Sequence, residues 1–193
     1  LLGLGLKRGD VIAIQYPNSP EVLIAYIGIA VMGGVMCTLH MPYRAGEMAP
    51  LMNHGKTKAV VCWQGDKKYN APLTMEGLKT QVPTLEHIIV VGEPNSGQHS
   101  LKTLIENAEP APIKDPPIAR DPCILCFTSG TSASPKGVVR TYETLTGNAR
   151  IYSPTIELSA DDRVMVAPPF THVFGLTCAT LALCWGSTNV LMP

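Results

Sequence analysis

Apolar residues in this chain gather in short continuous blocks, not in strict alternation with polar ones. Val11-Ile12-Ala13-Ile14, Ala59-Val60-Val61-Cys62 and Ile88-Ile89-Val90-Val91 are the clearest, each closed by Gly, Pro or polar turn residues. A strand buried on both faces has this pattern, and the blocks predict strands near 11–15, 35–39, 59–63, 87–91, 123–127, 163–167 and 188–192. Between them, helices are expected near 20–32, 45–54, 74–81, 101–108, 142–151 and 173–184. The first has a complete start signal: Ser19 to cap it, Pro20 at the first helical position and Glu21 in the first turn. Regular alternation of helix with buried strand predicts an α/β fold, with largely parallel sheets covered by helices on both faces in αβα layers.

Two uncharged stretches, Val22 to Tyr43 and Phe174 to Pro193, are long enough to cross a membrane. Gly33-Gly34 divides the first and Gly186 the second, so each is expected to be a buried helix, a loop and a buried strand. The segment 92–122 is rich in Pro, Gly and Ser and predicts a connection to a new start. It separates a first lobe at about 1–115 from the beginning of another at about 120–193. No internal repeat is present, and no secretory signal is expected.

Composition narrows the functional classes. Hydrophobic residues make up 46% of the 193, ample for a core, and fifteen basic residues balance fifteen acidic ones. With neither a basic stripe nor an acidic tail, capture of nucleic acid is excluded as the main task. Six cysteines are scattered in apolar surroundings. Cys123 and Cys126 have the spacing of a redox or zinc pair, but no second pair follows, and buried thiols in a reduced cytoplasm are expected. Gly3, Gly5 and Gly9 lack the preceding strand that a dinucleotide fingerprint needs.

One stretch carries candidate chemistry: Phe127-Thr128-Ser129-Gly130-Thr131-Ser132-Ala133-Ser134-Pro135-Lys136-Gly137-Val138-Val139. The apolar run Cys123 to Phe127 breaks there into small residues whose backbone N–H groups and hydroxyls can approach an anion closely, and Lys136 adds a mobile positive charge. These are the makings of a phosphate cradle. The apolar flanks and the Pro-Lys-Gly ending argue against a flexible linker. The order also differs from the Gly-Lys-Ser/Thr phosphate loop that opens a helix. Val138 and Val139 are expected to return the chain to a buried element.

The stretch resembles the phosphate-binding signature of the adenylate-forming superfamily, which includes AMP-forming acyl-CoA synthetases, luciferase and peptide-synthetase adenylation domains. Nine positions are in register: Phe127, Thr128, Ser129, Gly130, Thr131, Pro135, Lys136, Gly137 and Val138. Ser132 stands for a threonine, Ala133 where glycine is common, and Tyr142 where a histidine often follows. Downstream, Pro169-Phe170-Thr171-His172-Val173-Phe174-Gly175 is similar to the family's Pro-x-x-His-x-x-Gly segment, and Gly9-Asp10-Val11 with Pro17-Asn18-Ser19 is similar to its first strand and helix start.

The resemblance implies an incomplete N-terminal domain of an acyl-CoA synthetase-like enzyme, cut at both ends and inactive alone. The chain starts at Leu1 without an initiator methionine, and the family's later motifs would lie beyond residue 193. In the intact enzyme a carboxylic acid would react with ATP to give an acyl-adenylate and pyrophosphate, and the acyl group would pass to coenzyme A. The resemblance assigns Thr128, Ser129, Gly130, Thr131, Ser132, Ser134, Lys136 and Gly137 to the ATP phosphates. Lys136 and His172 become the catalytic candidates, and Phe170, His172 and Gly175 line the acyl pocket. Mg²⁺ is implied, with no ligand among these residues. A carrier-protein thiol or an amine as acceptor, or a nucleotide-binding fragment without turnover, stays open, as does the acid. A cytoplasmic location with no transmembrane segment is expected.

Overall fold

A computed structural model describes residues 1–128 and 136–192. A short 3-10 turn at Leu2–Leu4 leads into β1 (Val11–Gln15), α1 (Pro20–Val31), β2 (Val35–Thr38), α2 (Ala45–His54) and β3 (Thr57–Trp63). Next come α3 (Ala71–Leu78), β4 (His87–Val91), β5 (His99–Ser100), α4 (Leu101–Glu106), β6 (Pro122–Thr128) and β7 (Lys136–Thr141). The chain continues through α5 (Tyr142–Thr155), β8 (Arg163–Val166), α6 (Val173–Trp185) and β9 (Thr188–Leu191).

Seven strands form one sheet in the order β5-β4-β3-β1-β2-β6-β7, and β8 pairs with β9 in a second. Every pairing is parallel except β6 with β7. The expected α/β layering holds, because alternate residues of one strand enter different cores. Ile12 and Ile14 of β1 join Ile29, Met36 and Leu176 on one side, while Ala13 joins Met48, Met52 and Leu78 on the other. Ser19 caps α1 as expected, accepting from the Val22 N–H at 3.4 Å. Both uncharged stretches resolve into helix, turn and strand, with left-handed backbone at Gly33 and Gly186. Among the described residues no helix is long and apolar enough to cross a membrane.

Several expectations need correction. Val138 and Val139 do not enter a buried element: they are 42% and 55% exposed on β7, an antiparallel strand at the edge of the sheet. The thiols are not uniformly buried: Cys37, Cys62 and Cys123 are, but Cys184 is exposed. The helix expected near 74–81 begins earlier, because Asn70 caps it by accepting from the Leu73 N–H at 3.0 Å. Within 92–122 the helix expected near 101–108 is present as α4, but β5 was not expected; β6 joins β2 in the large sheet, and the second sheet starts at β8.

Candidate functional site

Because β1, β2 and β6 run parallel, their carboxyl ends lie along one edge of the large sheet, where ligands of open α/β sheets usually bind. The candidate cradle leaves from that edge. β6 and β7 form its two legs, with Thr128 paired to Lys136 and Phe127 to Gly137. Both Thr128 and Lys136 are exposed. Ser129, Gly130, Thr131, Ser132, Ser134 and the intervening positions lie outside the described residues. At the base of the legs the His54 ring meets Phe127 edge-on, with centroids 5.8 Å apart. A side chain at position 137 would crowd His54 and Leu125, which gives Gly137 a packing reason. His54, at the end of α2, was not singled out in the sequence, where nothing marks its distant pairing with Phe127.

The loops after β1 and β2 form a braced platform beside the cradle. Gln15 is fully buried at the end of β1, and its amide donates to the carbonyls of His40 at 3.2 Å and Tyr43 at 3.0 Å. Its own oxygen accepts from the Tyr69 hydroxyl at 2.9 Å. The Arg44 guanidinium lies over the Tyr69 ring and donates to the carbonyls of Met41, Pro42 and Tyr43. That cation is therefore already engaged by its own loop.

Asn18, just past β1, reaches across to the segment between β8 and α6. Its amide donates to the carbonyls of Val166 at 3.3 Å and Pro168 at 3.0 Å, while its oxygen accepts from the Phe170 N–H at 2.7 Å. This clamp places the turn carrying His172 against the same edge. His172 is the N-cap of α6: its Nδ1 accepts from the Phe174 N–H at 3.2 Å, so in this arrangement a neutral ring carries its hydrogen on Nε2. The ring is exposed. It lies 6.2 Å from His40, nearly parallel to it. His40 Nδ1 is 3.2 Å from the Thr171 hydroxyl. Burial, and secondarily the neighbouring His172, lowers the His40 pKa below its ordinary value.

The structure thus brings His172 to the platform, but it places Phe170 and Gly175 inside. Phe170 is 1% exposed and packs in the core. Gly175 is buried against the Pro168 and Pro169 carbonyls. Tyr142, downstream of the cradle, donates its hydroxyl to the Ala30 carbonyl at 2.8 Å and ties α5 to α1. Among the described residues no three His, Cys, Asp or Glu side chains gather as a metal site. Among the described residues cavities open both away from this edge and near it, the latter beside Glu21, Val91 and Gly92. One of about 420 Å³ opens beneath the connection at Leu2, Arg8, Met32 and Pro112, where Arg8 is engaged by Asp115 and Asp121.

A parallel sheet with helices on both faces and its polar loops gathered at the carboxyl edge defines an α/β ligand-binding protein. More particularly, the chain matches the AMP-binding enzyme family over residues 1–193 and belongs to it. It is 27% identical over 199 residues to the long-chain-fatty-acid–CoA ligase FadD13 of Mycobacterium tuberculosis, covering all of this chain and 37% of that protein. To the salicyl-AMP ligase / salicyl-S-ArCP synthetase of the same organism it is 28% identical over 197 residues, covering 100% of this chain and 34% of the relative. The fold is shared with the anthranilate CoA ligase AuaEII, solved with anthranoyl-AMP, at a TM-score of 0.89 and 22% identity, over 100% of this chain and 37% of that one. The chain therefore spans about a third of the length of these two curated relatives.

Proposed function

We propose that this chain is the N-terminal part of an AMP-forming acid–thiol ligase, and that the loop between β6 and β7 holds the phosphates of ATP. The observation that carries this reading is the pairing of Thr128 with Lys136 at the carboxyl edge of the sheet, in a chain that matches the AMP-binding family along its whole length. A carboxylate attacking the α-phosphate meets like charge, and more charge builds on the departing pyrophosphate, so positioning and electrostatics dominate the barrier. Lys136 offsets that charge as it grows. Thr128 and Ser129 to Ser132, with Ser134 and Gly137, supply hydroxyl and backbone donors around the phosphates. His172 faces the acyl group, while Phe170 and Gly175 fix the wall behind it. Among the described residues no group of three His, Cys, Asp or Glu side chains gathers to hold the Mg²⁺ that the family implies.

Coenzyme A is the acceptor in this reading, consistent with the ligases the chain resembles. The likeness to a salicyl-S-ArCP synthetase favours a carrier-protein thiol as the second reading. Consumption of coenzyme A by the complete enzyme separates the two. The adenylation step itself is tested by Lys136→Ala in that enzyme. Carboxylate-dependent exchange of pyrophosphate into ATP is expected to fall by about 10²-fold or more, as for loss of one preorganised electrostatic donor. An undiminished rate would refute the role of Lys136.

A further inference from the structure

We propose that His40 is a positioning residue for the acid-binding turn, holding His172 in place through the Thr171 hydroxyl and through its own ring. The inference rests on the adenylation reading and deepens it. Asn18 fixes the backbone at Val166, Pro168 and Phe170, but its contacts stop short of His172. The next anchor along the turn is Thr171, 3% exposed, whose hydroxyl meets His40 Nδ1 at 3.2 Å across 131 residues of sequence. From the same residue comes a second restraint: the His40 ring stacks on that of His172 at an interplanar angle of 24°.

The direction of control follows from which partner is held more firmly. His40 sits one residue past Leu39, whose N–H continues the strand ladder to the Ile14 carbonyl at 3.0 Å. Its own carbonyl accepts from buried Gln15 and from the Tyr43 N–H, and the Tyr43 ring meets it edge-on at 5.2 Å. The backbone of His172 is tied to the Pro169 carbonyl at 2.9 Å and the Leu176 N–H at 3.2 Å, but among the described residues its side chain has only the cap bond at Nδ1 and this stacking contact, and the residue is exposed. A ring on the rigid sheet edge thus orients a ring on a turn. Removing the hydrogen bond would leave the buried Thr171 hydroxyl without a partner and free the turn at the residue next to His172. A displacement of about 1 Å at a reacting centre can cost about 10²-fold in rate.

Two variants separate the restraints. His40→Phe keeps an aromatic ring but loses the hydrogen bond; His40→Asn loses the ring but keeps a polar atom near the position of Nδ1. In the complete enzyme, His40→Phe is expected to lower kcat/KM for the carboxylic acid by about 10- to 100-fold. KM for ATP should stay within about twofold, because among the described residues the His40 side chain engages the turn at Thr171 and His172. His40→Asn is expected to recover most of the loss. Thr171→Val should match His40→Phe, and the two together should be no worse than either alone, the signature of one shared interaction. If His40→Phe does not fold, the Thr171→Val and His40→Asn pair carries the same decision. Wild-type kcat/KM in His40→Phe, a parallel rise in KM for ATP, or additive losses would overturn the assignment. An enzyme active in pyrophosphate exchange but indifferent to these changes sinks the role of His40 alone, whereas a wild type without carboxylate-dependent exchange sinks the adenylation reading and this inference with it.

Discussion

Gly175 shows how one position can be legible in a sequence while its reason is not. The Pro-x-x-His-x-x-Gly spacing marks it, and the resemblance assigns it to an acyl pocket. In the structure a Cβ at this position would lie 2.3 Å from the Pro169 carbonyl oxygen and 2.6 Å from that of Pro168. The first turn of α6 presses directly on the segment beneath it, and rigid backbone cannot yield as a side chain can. Gly175→Ala is therefore expected to destabilise the fold by about 3 kcal/mol, measured by urea denaturation, at the upper end of overpacking costs. An unchanged midpoint would show that the helix and turn can separate freely. His172 beside it was visible as a residue type in a motif. His40 was not, because its significance depends on an approach across 131 residues that no local spacing encodes.

At the scale of elements, strands covered on both faces were legible because continuous β-branched runs have few other uses. β7 was missed for the complementary reason: its outer side is open, Val138 and Val139 are exposed, and it pairs antiparallel to its neighbour. β5 has two residues and leaves no periodic trace. α5 runs on to Thr155 past the expected end, with Pro154 in its last turn. The link between the large sheet and the β8–α6–β9 unit was hidden for a different reason. Asn18 reads as part of a helix start, yet its side chain serves a segment roughly 150 residues away. Asn18→Ala removes three hydrogen bonds and leaves the Phe170 N–H without its acceptor inside the core. The expected cost is about 1–3 kcal/mol. Hydrogen exchange should show the lost protection concentrated in residues 163–192, with β3 and β4 unaffected; uniform loss across the large sheet would contradict the clamp.

For the molecule as a whole, two imidazoles tie stability to pH. His40 is lowered from 6.5 by burial and then by His172, and His99 by burial and then by His87 and Lys79. Below 6.5 the unfolded chain takes up protons at these positions that the folded chain refuses. Stability is thus fully present above that value and declines as pH falls toward the lowered folded-state values. Unfolding free energy measured between about pH 7.5 and about pH 5.5 should decrease, and His40→Asn combined with His99→Asn should flatten the slope. An equal slope in the double variant would mean that other groups govern it. Glu47 and Asp162, both lowered by backbone hydrogen bonds, act in the same direction at more acidic pH. The bridging role of Asn18 and His40 also decides how the protein can be recombined. A graft of residues 163–192 from a relative would bring a new turn while leaving the old struts addressing a foreign backbone. The smallest exchangeable cassette is therefore discontinuous: the host must also accept the donor's residues at positions 18 and 40.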